Sequence, residues 1–174
     1  GMKHGGAGIY VEGAEALAID LMHGEAAQIV ERAKSMVTTP QVFLTQSRLC
    51  VIQKDLSGAA QHLREGLQAN ARSTELLEAL AEIEIQTKNP ERALEALVQI
   101  AQLPEKCLNL CERAIRDLVK AGRGDEGLHI FKPIGRDYAR RGMGDSVAKI
   151  IKGAMGGHFT VEAWLQLAEI AHQM

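Results

Sequence analysis

The chain has 174 residues, 46% of them apolar and 24% charged, which is apolar material enough for a core and speaks against wholesale disorder. Only 3% are aromatic, against 24 alanines and 19 leucines, a mixture that favours helix over a pleated sheet surface and makes an all-β domain a poor reading. The formal net charge of −2 is uneven, −4 over residues 1–104, +4 over 105–152 and −2 beyond, yet no block reaches the basic excess by which a protein displaces counterions from nucleic acid.

Residues 1–8 read as a disordered or tag-derived start, with Gly1 ahead of Met2. They lack the apolar run of a signal peptide, and no stretch of 18 apolar residues is present to cross a bilayer. Three cysteines, Cys50, Cys107 and Cys111, do not make a disulfide framework and fit a reducing, cytoplasmic setting. From residue 9 the periodicity predicts ten helices, over 9–22, 24–36, 40–54, 57–69, 73–87, 90–102, 105–121, 124–140, 144–154 and 159–173. Turn signals separate them at His23-Gly24, Ser57-Gly58, Asn89-Pro90 and Gly122 to Gly124. Asn89 is expected to cap the helix whose first position is Pro90.

These helices repeat. Ala26, Ala59, Ala93 and Gly127 stand at successive offsets of 33, 34 and 34. Each is followed four positions on by a larger side chain, Val30, Leu63, Leu97 and Phe131, and three further on by Ala33, Gly66, Ile100 and Ile134. Offsets of four and three trace one stripe of a helix. The small residue lets a neighbouring backbone approach, and the large one fills the groove beside it. A second stripe lies about twelve positions upstream each time, as in Leu77, Leu80 and Ala81 or Cys111, Ala114, Ile115 and Leu118.

Paired helices recurring with this period resemble the tetratricopeptide repeat (TPR) family over nearly the whole chain. Phe131, Ile134, Gly135 and Tyr138 match the family's first-helix positions, as do Trp164, Leu167, Ala168 and Ala171; Leu77, Leu80 and Ala81 with Ala93, Leu97 and Ile100 match a whole unit. The resemblance implies an all-α TPR-like superhelix (a solenoid of about five antiparallel helix pairs), one repeat domain over residues 9–174. Phe131 and Ile134 are claimed twice, as second-helix residues by the repeat count and as first-helix residues by the motif, and the two readings exclude each other. In the second-helix reading Pro133 lies inside the helix and should bend it.

No local catalytic motif appears: no His-Glu-x-x-His, Gly-x-Ser-x-Gly or Walker loop. Gly122 to Gly127 has the spacing of a dinucleotide fingerprint but follows a helix where that chemistry needs a strand, so it reads as a helix-helix turn. Arg123-Gly124-Asp125 within it has the letters of an adhesion tripeptide and no secretory context. Cys107 and Cys111 share a helix face without the further ligands of a zinc site, and read as packed thiols. Trp164 reads as a core residue, and Met36, Met143, Met155 and Met174 as gap fillers. We therefore expect no enzyme, cofactor or metal.

The resemblance implies that first helices line a concave wall. Its inward positions are Glu12 and Glu15, then Thr45 and Arg48, then Glu75, Glu78 and Glu82, then Asn109, Glu112, Arg113, Arg116 and Lys120. The candidate partner-binding residues are Arg48, Glu78, Glu82, Asn109, Glu112, Arg113, Arg116 and Lys120, acidic midway and basic further on, suited to a peptide or helical segment of a protein. At the positions where chaperone-binding members carry the residue set that grips a chain-terminal carboxylate, this chain holds Val11, Glu15, Thr45, Asn109 and Arg113, of which only the arginine agrees. The expected function is a non-enzymatic protein-interaction scaffold, with no nucleic-acid partner and no membrane insertion. The alternative is the TPR tail of a bacterial response-regulator-type signalling or secretion protein, acting as a homo-oligomer through apolar Phe159 to Ala171.

Overall fold

The computed structural model describes residues 39–100 and 102–155, together with Gly24, Glu25, Gln28, Ile29 and Arg32, which are helical. Among the described residues every regular element is helical: α1 (Pro40–Ile52), α2 (Leu56–Ala69), α3 (Thr74–Gln86), α4 (Pro90–Val98), a 3-10 turn (Glu105–Cys107), α5 (Leu108–Lys120), α6 (Gly124–Arg140) and α7 (Gly144–Met155). The helices expected at 9–22 and 159–173, with Trp164, lie outside the described residues. Two compact units divide the chain, Gly1–Ile83 and Glu84–Met174. The first holds α1 and α2, the second α4 to α7, and α3 crosses the boundary.

The repeat period is visible in the helix starts. Pro40, Thr74 and Leu108 open α1, α3 and α5, and Leu56, Pro90 and Gly124 open α2, α4 and α6, each set advancing by 34. The turns share one geometry at the same interval: Lys54, Lys88 and Gly122 take left-handed φ of 63°, 65° and 73°. The next N–H closes back on the carbonyl five positions earlier, Asp55 to Cys50, Asn89 to Glu84 and Arg123 to Leu118, all at 2.8 Å. This is the six-to-one closure of a Schellman motif, which satisfies a carbonyl left over at the helix end. The α6–α7 turn repeats it, with Gly142 at φ 77° and Met143 N–H on the Tyr138 carbonyl at 2.9 Å.

Caps differ from turn to turn. Asp55 caps α2, its carboxylate accepting the Gly58 N–H at 2.8 Å, and leaves no room for a Cβ on Gly58. Asn89 stands at the expected N-cap of α4 but makes no capping bond. Its side-chain NH2 donates to Thr87 Oγ1 at 3.1 Å, and Pro90 at the first position, with its fixed φ, suits the helix start. Helix α4 also ends at Val98, short of the expected 102. Pro104 disfavours helix at the residue before it, and the chain runs out through Leu103 before the 3-10 turn.

Packing follows the small-large stripe. In the first unit a Cβ on Gly66 of α2 would stand 2.8 Å from Phe43 Cβ and Cγ of α1, and Ala59 and Leu63 are fully buried. In the second unit α4 packs on α5 and α6, α5 on α6 and α7, and α6 on α7. Gly127 of α6 serves as the small residue there, its Cβ position 2.9 Å from Leu118 Cδ1 and 3.7 Å from Ile115 Cα.

Helix α6 carries Phe131 and Ile134 in the second-helix phase, starting 34 residues after α4. It is one helix of 17 residues, in phase as the second helix after α5, and its buried stripe runs on from Gly127, Phe131 and Ile134 to Gly135 and Tyr138. Pro133 is exposed, so the His129 carbonyl that it cannot serve lies on the solvent side, and the helix continues through it. Buried Tyr138 donates its hydroxyl to the Leu103 carbonyl at 2.5 Å. Arg141 stacks 4.7 Å over the Tyr138 ring and donates to the same carbonyl at 3.4 Å, tying the end of α6 to the segment ahead of α5.

Candidate functional site

Exposure sorts the expected wall residues. Thr45 is fully buried, its hydroxyl donating to the Gln41 carbonyl at 3.0 Å; it is a packing residue, and the expectation that it faces a ligand is corrected. Arg48 of α1 is exposed. On α3, Glu75 and Glu82 are exposed and Glu78 half-buried, spaced three and four apart so that one face carries three carboxylates. Glu75 accepts from Ser73 Oγ at 3.0 Å. Those residues belong to the first unit.

Glu12 and Glu15 lie outside the described residues, and in the second unit α5 brings the other five together. Asn109, Glu112, Arg113, Arg116 and Lys120 recur at offsets of three and four, opposite the buried Cys111, Ala114, Ile115 and Leu118. Glu112 and Arg116 form an ion pair one turn apart, and Lys120 lies 3.7 Å from Asp117. Arg113 makes no ion pair among the described residues and is exposed.

Helix α7 adds residues that the strict repeat misses. A shift of 34 would place Val147 and Ile150 opposite Arg113 and Arg116, but both are buried. α7 begins at Gly144, an offset of 36 from Leu108. At that shift Cys111, Ala114, Ile115 and Leu118 correspond to Val147, Ile150, Ile151 and Ala154, all buried, while Arg113 and Arg116 correspond to exposed Lys149 and Lys152. The signal is present in the sequence as the apolar run Val147, Ile150, Ile151 and Ala154, two positions out of phase with the count. Gly153, one turn beyond Lys149 on the same face, has its Cβ position 3.0 Å from Glu112 Oε1. The backbone of α7 therefore abuts the carboxylate that holds Arg116.

The other noted constellations are accounted for by packing and by turns. Cys107 and Cys111 are buried, and burial, with Cys107 beside it, pushes the Cys111 thiol up to about 12, far from the thiolate that metal binding or exchange requires. No group of metal-ligating side chains forms among the described residues. Gly122 to Gly127 is the turn into α6 and its first residues. Within it Arg123 forks onto Glu126 at 2.8 and 2.7 Å and reaches Glu91 at 3.6 Å. Hydrogen bonds from Arg123 hold the Glu126 carboxyl below the usual carboxylate range, so the arginine of the adhesion-like tripeptide is engaged within its own chain.

Helix pairs whose starts advance by a constant interval, joined by one turn type and packed through a small-large stripe, define a TPR-like helical-repeat fold. No protein-family model matches the chain, and no curated protein matches it in sequence. Solved structures do. YrrB, described as a TPR protein with an unusual peptide-binding site, is similar at 17% identity with a TM-score of 0.55, over 95% of this chain and 91% of its own. MamA from AMB-1 is similar at 17% identity and a TM-score of 0.54, over 91% of this chain and 96% of its own. MamA from MSR-1 gives 17% and 0.53, over 85% and 94%. Among the described residues no helix is long and apolar enough to cross a membrane.

Proposed function

We propose that this chain is a non-enzymatic protein-interaction scaffold that holds a peptide or helical segment of another protein on the exposed faces of its first helices. The observation that carries this reading is α5. Its inner stripe is consumed by packing, while Asn109, Arg113, Arg116 and Lys120 stay at least partly accessible on one continuous face. Such a face, repeated on α7, presents ordered polar groups without the entropy loss of arranging a flexible loop. The peptide-binding site for which YrrB is described supports the reading, as does the low charge excess of the chain, which suits a protein partner better than nucleic acid.

The test pairs alanine substitutions in both units, Glu78 with Glu82 and Arg113 with Arg116, with recovery of crosslinked partners from the host lysate. Folding should be retained by circular dichroism and recovery of one partner set should fall. Recovery identical to the parent chain from both double variants would overturn the reading. The self-associating alternative rests on Phe159 to Ala171, outside the described residues. Light scattering across concentration separates it, since a strictly monomeric species removes it.

A further inference from the structure

Resting on that reading, we infer that the α5–α7 face of the second unit is a seat for an extended acidic segment of a partner protein, bound through its side-chain carboxylates. The observation is a repeated cation pair. Arg113 and Arg116 on α5 recur as Lys149 and Lys152 on α7 at the shift of 36 that also superposes the buried positions of the two helices, and the helices are packed together. Packed helix axes lie about 8–10 Å apart, so the pairs form two cationic rows at that separation. A chain extended as polyproline II advances about 3.1 Å per residue with three residues per turn, so carboxylates at every third position share one side, about 9 Å apart, and meet successive rows.

The acids of the same face cancel two of its cations and leave three. Glu112 neutralises Arg116 and also fixes it, since its carboxylate is wedged against the Gly153 backbone; Asp117 lies by Lys120. Asp145 sits in the first turn of α7, where the helix dipole favours it. Arg113, Lys149 and Lys152 make no ion pair among the described residues, and these three remain to meet a partner. Gly153 has no side chain, and the space a Cβ would take there is held by the Glu112 carboxylate, so the segment is met by the three exposed cations and not at Gly153. The corresponding face of α3 carries Glu75, Glu78 and Glu82, which would repel the same segment. Charge thus assigns the acidic partner to the second unit. A chain-terminal carboxylate is not required, in keeping with a gripping set of which this chain matches only the arginine, Arg113.

The test uses the full chain and two fluorescein-labelled peptides, four repeats of Asp-Gly-Ser and four of Lys-Gly-Ser, titrated by anisotropy at low salt and at roughly 0.5 M, where charges are screened beyond a few ångströms. The acidic peptide should bind at low salt and lose at least tenfold in affinity at high salt. The double variant R113E/K149E, shown to melt like the parent chain, should lose at least tenfold as well, and E78K/E82K should not weaken binding. No binding of the acidic peptide below roughly 1 mM, the weak end of ordinary affinities, or binding unchanged in R113E/K149E, overturns the inference. If the basic peptide binds instead and E78K/E82K abolishes it, the acidic partner is wrong while the scaffold reading stands. If neither peptide binds and crosslinked recovery is also indifferent to the alanine variants, both fall.

Discussion

Helices α3 and α5 start one repeat apart and use corresponding positions for the same jobs, yet they present opposite charges. Their packing positions correspond as Leu77 with Cys111, Leu80 with Ala114, Ala81 with Ile115 and Glu84 with Leu118, every one of them buried. Their exposed faces correspond as Glu75 with Asn109, Glu78 with Glu112 and Glu82 with Arg116. The period constrains burial, because a neighbouring helix must fit there, while size trades between adjacent positions, Leu80 and Ala81 on α3 against Ala114 and Ile115 on α5. It leaves the face free, because water accepts either sign. A repeat of this kind therefore keeps its architecture while its surface is rewritten.

The comparison breaks most severely where α5 is given the buried residue of α3. Leu118→Glu removes a side chain that is 1% exposed and packed against Gly127 and puts a carboxylate in its place, at a cost on the order of 4 kcal/mol. Urea denaturation should show loss of the folded baseline or a midpoint shifted to match. Next come the turns that end the two helices. Gly122→Ala forces a Cβ into left-handed backbone and should destabilise by about 1 kcal/mol, whereas Lys88→Gly releases the same strain and should cost nothing or stabilise by a few tenths. A thermal melt in which both move the same way would show that the turns are not equivalent.

Tyr138→Phe deletes the hydroxyl on the Leu103 carbonyl but leaves Arg141 within 3.4 Å of it. The expected loss is about 1 kcal/mol, again by urea denaturation, and hydrogen exchange should quicken near residues 102–107. Smallest of all, Glu82→Arg, which gives α3 the face residue of α5, should shift stability by under about 0.5 kcal/mol while changing which peptides bind. The Cys111 thiol adds a pH test. Its ordinary value of 9.0 rises to about 12 in the folded chain, so below pH 9 it contributes no pH dependence. Above pH 9 the unfolded chain ionises first, and stability falls as pH rises toward 12. A flat stability profile from pH 9 to 11 would contradict the burial of that thiol.

The packing half of this molecule is legible in the sequence. Gly66 and Gly127 name two close approaches and Ala59 and Ala93 are fully buried, and from residue 40 on the helix starts expected from periodicity fall within a turn of the observed ones. Three features are not legible, each for a physical reason. The repeat position of Thr45 points to the wall, but its hydroxyl can bond to the backbone one turn back and so tolerate burial. Asn89 is a good capping residue whose side chain is turned to Thr87 through its NH2 and makes no cap bond. Lys149 and Lys152 escape a strict count because α6 runs 17 residues, against 9 for α4, and pushes α7 two positions out of phase. The sign of a face leaves no periodic trace, so charge has to be read helix by helix.

The shared turn has a consequence for how such a chain can grow. A stretch running from Asn89 through Gly122 begins just after one left-handed residue and ends on the next, with the same six-to-one closure at both joints. Splicing in a second copy at that point would create only junctions whose backbone conformation the molecule already uses. The protein is in this sense written as cassettes, and lengthening it by one whole helix pair calls for no new loop to be invented.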